Sequence, residues 1–270
     1  MPTPNPSRER EGKLLGFGLS IEPQLWSLVF VMVRIGAAFI VAPVFGAIGV
    51  PLQVRVALSA AIGVLVLAAH PITPPANIFS AATFVAIGAE VLVGFSLGFI
   101  LQVAFAGPLV ASEMIGTSMG LGFASAIDPQ NGRSTPALGQ FFSVMMTLLF
   151  LSVDGHLVLV EMLVRSYDVL PPGGAWLSAD RVKGVALFGS YLFLAGLLLA
   201  LPVGFLLLCL NMIVGMMSRA APSLNLFAVG LPASLAVGVV ALAVAFPAMG
   251  DYMVVIIREG LTATQNLVLG

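Results

Sequence analysis

Apolar residues fall in long runs near 25–48, 54–70, 78–107, 138–164, 185–217 and 224–249, with a weaker run at 252–257. About 20 mostly apolar residues carry a helix across a bilayer core, so the pattern predicts six membrane-spanning helices. The length of the runs and their lack of strict alternation argue against strands. Polar, Pro- or Gly-containing stretches predict loops at 49–54, at 70–77 ("HPITPPAN"), at 108–137, at 165–184 and at 218–223. The polar start, MPTPNPSREREGK, makes residues 1–20 read as a disordered tail. The run after it is long and holds Arg34. A signal peptide has a short apolar core and a small-residue cleavage site, so this run reads as retained.

Three features disturb a simple set of spans. Pro43, Pro51, Pro108, Pro202 and Pro232 interrupt the runs, and each can kink or end a helix. Arg34, Glu90, Asp154, His156 and Glu161 sit within or beside the runs. A charge facing lipid is costly, so these side chains are expected to face protein or water. Small residues also recur four apart, Gly94 and Gly98 in "GFSLG" and Gly116 and Gly120 in "GTSMG". That spacing lets helices approach closely. With the N-terminus inside, the inner segments hold Arg8, Arg10, Lys13, Arg165, Arg181, Lys183 and Arg258, against Arg55, Arg133 and Arg219 outside. The bias favours that orientation.

Composition supports a membrane chain: 59% of residues are hydrophobic and 9% charged, against about 45–50% and about 25% in soluble domains. A net charge of −1 gives no footprint for nucleic acid. One cysteine, Cys209, and two histidines, His70 and His156, offer no disulfide framework and no metal set. No cofactor is expected. Gly120-Leu121-Gly122 begins like a dinucleotide fingerprint, but Ser125 replaces the third glycine and no strand precedes it. In "SVDGH" (152–156), Asp154 and His156 are open to two readings. They could form an acid–base dyad, yet residues two apart on a helix point to different faces, and Gly155 suits a helix break. Met145-Met146 and Met216-Met217 read as packing or as a deformable seal.

Three stretches carry a resemblance over essentially the whole chain after the tail: "MIGTSMGLGFASAIDPQNGRSTPALGQFF" (114–142), "DGHLVLVEMLVRSYDVLPPG" (154–173) and "NMIVGMMSRAAPSLNLFAVGLPASLAVG" (211–238). In order and spacing they resemble the FliR/SctT family of type III secretion export-gate subunits. The resemblance implies an all-α membrane protein of kinked helical hairpins. Residues 21–184 would form a portion like the P subunit, and 185–270 a hairpin portion like the Q subunit. It implies P- and Q-type partners (FliP and FliQ), contact with the large gate proteins FlhA and FlhB, passage of exported flagellar proteins, and a surrounding of membrane lipid. The place implied is the flagellar basal body in the bacterial inner membrane. The family also implies helices standing partly above the bilayer, so that hydropathy alone overstates regular spans. After "PSLNLF" this chain reads "AVGLPASLAVG" with no charge, whereas virulence members tend to carry a lysine. That points to the flagellar branch. Asp154 stands where flagellar members often have Asn.

The resemblance further implies a channel plug at Gly120, Leu121, Gly122, Phe123, Ala124, Ser125, Ala126, Ile127, Asp128 and Pro129. Physical chemistry suits the role. Phe123 and Ile127 can close a narrow pore by excluding water, Gly120 and Gly122 ease movement, and Asp128-Pro129 favours a turn. The competing reading is a re-entrant loop that only packs. Asn211, Gly215, Arg219, Pro222 and Asn225 read as a subunit-assembly turn, or as a generic hairpin turn. The chain shows no phosphate-binding loop and no row of proton-relay carboxylates, so it reads as a non-enzymatic gate subunit. The alternative is a self-contained secondary transporter or small-solute channel, motivated by the charges and broken helices.

Overall fold

A computed structural model describes residues 21–70, 72, 80–121, 137–172, 178–220 and 226–269. These form eight α-helices and, among the described residues, no strand. They are α1 (Ile21–Val41), α2 (Leu52–Ala69), α3 (Ala81–Ser118), α4 (Ala137–Ser152), α5 (Gly155–Val169), α6 (Ala179–Phe188), α7 (Tyr191–Ala220) and α8 (Leu226–Leu269). The all-α membrane architecture expected from the runs is the one found. Five helical stretches, or six if the bent pair α4–α5 counts as one, are long and apolar enough to cross a membrane.

The boundaries differ from the hydropathy reading in three places. Helix α3 continues through Pro108 to Ser118, where a loop was expected. One proline removes a single backbone bond, and the helix beyond it stays buried at Ala111, Ser112, Ile115 and Gly116. The stretch expected to be a loop at 165–184 holds the end of α5 and the start of α6. Ser178 caps α6 by accepting a hydrogen bond from the Arg181 amide at 3.4 Å. The weak run at 252–257 is no separate element, because α8 continues unbroken over 44 residues. Asp251, Arg258 and Glu259 dilute hydropathy there without opposing a helix.

At about 1.5 Å per residue, the 38 residues of α3 extend about 57 Å and the 44 of α8 about 66 Å. The hydrocarbon core is about 30 Å thick. To stay inside it, α3 would need a tilt of roughly 60°, beyond the 0–40° range of membrane helices. Both helices are thus longer than one ordinarily tilted span needs.

Helix α3 is the centre, touching α1, α4, α7 and α8. Its "GFSLG" glycines fulfil the packing role expected of them. A Cβ on Gly94 would collide with the carbonyl of Arg34, and one on Gly98 would sit 2.6 Å from the carbonyl oxygen of Ala38. Backbones this close let α1 and α3 run in the same direction in direct contact. Between α3 and α7, a Cβ on Gly196 would lie 2.8 Å from the side chain of Val110.

Two of the five charged residues flagged in the runs or beside them meet in this crossing. Arg34 is 1% exposed and Glu90 2%, and they pair through Nε–Oε2 at 2.7 Å and Nη2–Oε1 at 3.0 Å. Arg34 also donates to Ser166 Oγ at 3.0 Å and to the Leu170 carbonyl at 2.8 Å. Its guanidinium lies 4.1 Å from the centre of the Tyr167 ring. By contrast, Glu161 is exposed and pairs with Arg165 one turn on, at 2.7 Å.

Gly94→Ala is expected to destabilise the purified protein by about 2 kcal/mol, the range for overpacking a tight contact, seen as a lower thermal midpoint. Gly88→Ala, at an open position in the same helix, is expected to hold or slightly raise the midpoint, since alanine is the better helix former.

Candidate channel-closing site

Of the ten residues expected to form the plug, Gly120 and Leu121 are described; Gly122, Phe123, Ala124, Ser125, Ala126, Ile127, Asp128 and Pro129 lie outside the described residues. The structure does show how the chain enters the segment. Gly120 has φ 83°, the left-handed region. The Leu121 amide donates to the Gly116 carbonyl at 2.9 Å and the Gly120 amide to that of Thr117 at 3.0 Å. These two bonds and the left-handed glycine make a Schellman motif. The Met119 amide takes the Ile115 carbonyl at 2.9 Å, and Asn211 Nδ2 donates to the Ser118 carbonyl at 3.4 Å. The last four carbonyls of α3, which a helix leaves without internal partners, are thus all satisfied.

This corrects one expectation. Among the described residues, Gly116 and Gly120 do not form a close-packing pair like Gly94 and Gly98: a Cβ on Gly116 would meet only Leu121 there, at 3.8 Å, within ordinary contact. Gly120 is the residue that stops the helix. Packing and stopping glycines share the same four-residue spacing, so the pattern alone does not separate them.

The end of α3 is held between α7 and α8. Asn211, on α7, also accepts from Ser234 Oγ on α8 at 3.0 Å. Met119 is 3% exposed and lies where a Cβ on Gly238 would come within 2.6 Å of it. Sequence reasoning missed Ser118, Met119, Ser234 and Gly238; the small residues of "LPASLAVG" were the signal for the last two. In the other predicted set, Gly215 faces open space and Arg219 is exposed in the last turn of α7. Met216 and Met217 are exposed beside them. Pro222 and Asn225 lie outside the described residues.

The far side of the segment joins α4, which begins at Ala137. Helices α4 and α5 meet at an elbow of 65°. Asp154 turns it with φ 55°, a conformation Asn and Asp tolerate better than other side chains. A Cβ on Gly155 would collide with the Phe150 ring. "SVDGH" is thus a helix break. Asp154 is exposed, and among the described residues no hydrogen bond joins it to His156. Of the methionines, Met146 is fully buried in the core while Met145 packs against it. Among the described residues no group of three or more His, Cys, Asp or Glu could hold a metal.

Gly120→Val is expected to cost about 1–2 kcal/mol through the left-handed backbone and to speed amide hydrogen exchange at Gly120 and Leu121. Gly120→Asn is expected to stay near the wild type, since Asn tolerates this region.

The model of the family described as "Bacterial export proteins, family 1" matches residues 25–260. The chain is 38% identical over 216 residues to the flagellar biosynthetic protein FliR of Pectobacterium carotovorum subsp. carotovorum, covering 80% of this chain and 82% of that one. It is 35% identical over 226 residues to FliR of Escherichia coli (strain K12), with coverages of 82% and 84%. FliR of Bacillus subtilis (strain 168) is 30% identical over 221 residues, with coverages of 81% and 85%. The chain therefore belongs to family 1 of the bacterial export proteins, the family that includes FliR.

Proposed function

We propose that this chain is a non-enzymatic subunit of the flagellar type III protein-export gate in the bacterial inner membrane, and that residues 120–129 close its channel. The observation that carries the closing role is the exit from α3. A helix end with every terminal carbonyl satisfied, gripped between α7 and α8, is a firm base for the segment that follows it. Apolar Phe123 and Ile127 follow directly. A segment serving only to connect two helices needs neither the grip nor apolar residues such as Phe123 and Ile127.

Family membership supports partners of export-gate type. We assign these as FliP- and FliQ-like subunits, with FlhA and FlhB as further contacts and exported flagellar proteins as cargo. Residues 21–184 would serve as the P-like portion and 185–270 as the Q-like portion. The open face at Gly215 and Arg219 would take a neighbouring subunit, together with Pro222 and Asn225, which lie outside the described residues. Asn211, whose amide is engaged within the chain, would orient that turn.

Two measurements test this reading. Expressed alone, the chain should conduct no solute; co-expressed with FliP- and FliQ-type partners, it should enter one particle with them. A solute-conducting particle made of this chain alone would instead establish the self-contained transporter. Within the assembled particle, deleting residues 121–127 should raise leakage of small ions through the complex. Unchanged leakage would mean that the segment only packs.

A further inference from the structure

A cleft of about 430 Å³ lies between α3, α6 and the last turns of α8, away from the residues discussed above. Its polarity is graded along the helices. Helix α8 runs against α3, since Gly260 sits close to Ala104 and Leu101 while Gly238 sits close to Met119. Helix α6 leads into α7 as one apolar stretch. Helix α7 in turn runs with α3, from Ala195 beside Gly107 to Asn211 beside Ser118. One end of the cleft is therefore lined by Asp180, Arg181 and Asn266, and the other by Val185, Phe188 and Ile100. At about 1.5 Å per residue, Arg181 and Phe188 stand about 10 Å apart along α6.

Three features of the cleft call for an occupant. First, the side chains of Asp180 and Arg181 have no hydrogen bond or ion pair among the described residues, not even with each other. Ser178 is already engaged, accepting from the Arg181 amide at 3.4 Å, so the polar end is made by side chains and not by the start of the helix. Second, Gly184 keeps the middle of the cleft open: a Cβ there would meet nothing within 4 Å. Third, Val182 and Leu187 on the same helix are exposed, which suits a helix bathed in hydrocarbon. The size falls within the range of small-molecule sites, which are mostly apolar with a few placed polar groups. A neighbouring helix is too thick to enter. At 10–12 Å across it would fill roughly 800 Å³ or more over the same 10 Å, whereas a single acyl chain is far narrower.

We propose that this cleft binds one ethanolamine phospholipid. Arg181 and Asn266 take the phosphate, Asp180 takes the ammonium, and an acyl chain lies along Val185, Phe188 and Ile100. The charges match in number and kind: one guanidinium and one carboxylate on successive residues face a headgroup with one anion and one cation. Hydrogen bonds between ionised partners are about twice as strong as neutral ones. A glycerol headgroup would leave Asp180 facing an anion with no cation between them, and a choline headgroup has no N–H to donate to it. Nothing in this assignment depends on the closing role, and it stands or falls separately.

The test uses the full chain, with whatever subunits copurify, in nanodiscs of equal ethanolamine, glycerol and choline phospholipids. A benzoylphenylalanine replacing Phe188 and illuminated should capture the ethanolamine lipid, read by mass, about threefold or more over either competitor, a preference within reach of an exposed charge pair. Asp180→Asn should remove that preference while capture continues. Arg181→Gln should lower capture of all three lipids. Gly184→Leu, which fills the open middle of the cleft, should nearly abolish capture. Lys183→Gln, on the same helix but outside the lining, should change nothing. Equal capture of the three lipids, capture of a peptide from another subunit, or capture unmoved by Gly184→Leu would each overturn the proposal.

Discussion

A guanidinium taken out of water is the constraint around which this chain is arranged. Arg34 lies in the contact between α1 and α3, and removing such a charge from water costs several kcal/mol before its partners are counted. Glu90 supplies the opposite charge, Ser166 Oγ and the Leu170 carbonyl accept further hydrogen bonds from the guanidinium, and the Tyr167 ring covers a face. The pair forms only because the two helices touch. Glu90, Gly94 and Gly98 recur at four-residue spacing on one face of α3, opposite Arg34, Ala38 and Ala42 on α1. The glycines admit the α1 backbone, and that approach brings the charges within bonding distance. Glycine and ion pair are therefore one device: enlarging Gly94 lengthens the pair, and neutralising either charge leaves its partner buried alone.

The same rule, that polar groups away from water must be satisfied within protein, governs the end of α3. Its terminal carbonyls are consumed by a left-handed glycine turn and by Asn211. Pro108, Pro202, Pro232 and Pro247 also sit inside helices. Each frees a single carbonyl; Pro108 is buried among neighbouring helices, while Pro202, Pro232 and Pro247 are exposed in this chain and the helix runs on through them. Such helices need not match the thickness of the bilayer.

Much of the fold was legible from the sequence. The apolar runs located seven of the eight helices, although their ends were misplaced; "GFSLG" marked a true close crossing; and Arg34 and Glu90 turned inward as the cost of charge in lipid requires. Illegible features were those in which two physical causes share a pattern. "GTSMG" has the spacing of a packing motif, but its second glycine stops a helix. Pro108 looked like a terminus because tertiary packing that sustains a helix beyond a proline leaves no local mark. Helix α6 was hidden in a polar stretch and revealed by its Ser178 cap. Asn211 was read as facing a neighbouring subunit, while its amide bridges α3 and α8 within the chain. The segment proposed to close the channel was singled out by its composition and by the family resemblance, and its base, though not its tip, lies within the described residues.

The central claim concerns where that tip stands. A high-resolution structure of the complete complex in lipid, with FliP- and FliQ-type partners, would place it directly. The account predicts that Phe123 and Ile127 face the central axis and constrict it, with Gly120 left-handed at the base. Density for the same residues on the outer surface, against lipid and away from the axis, would contradict it.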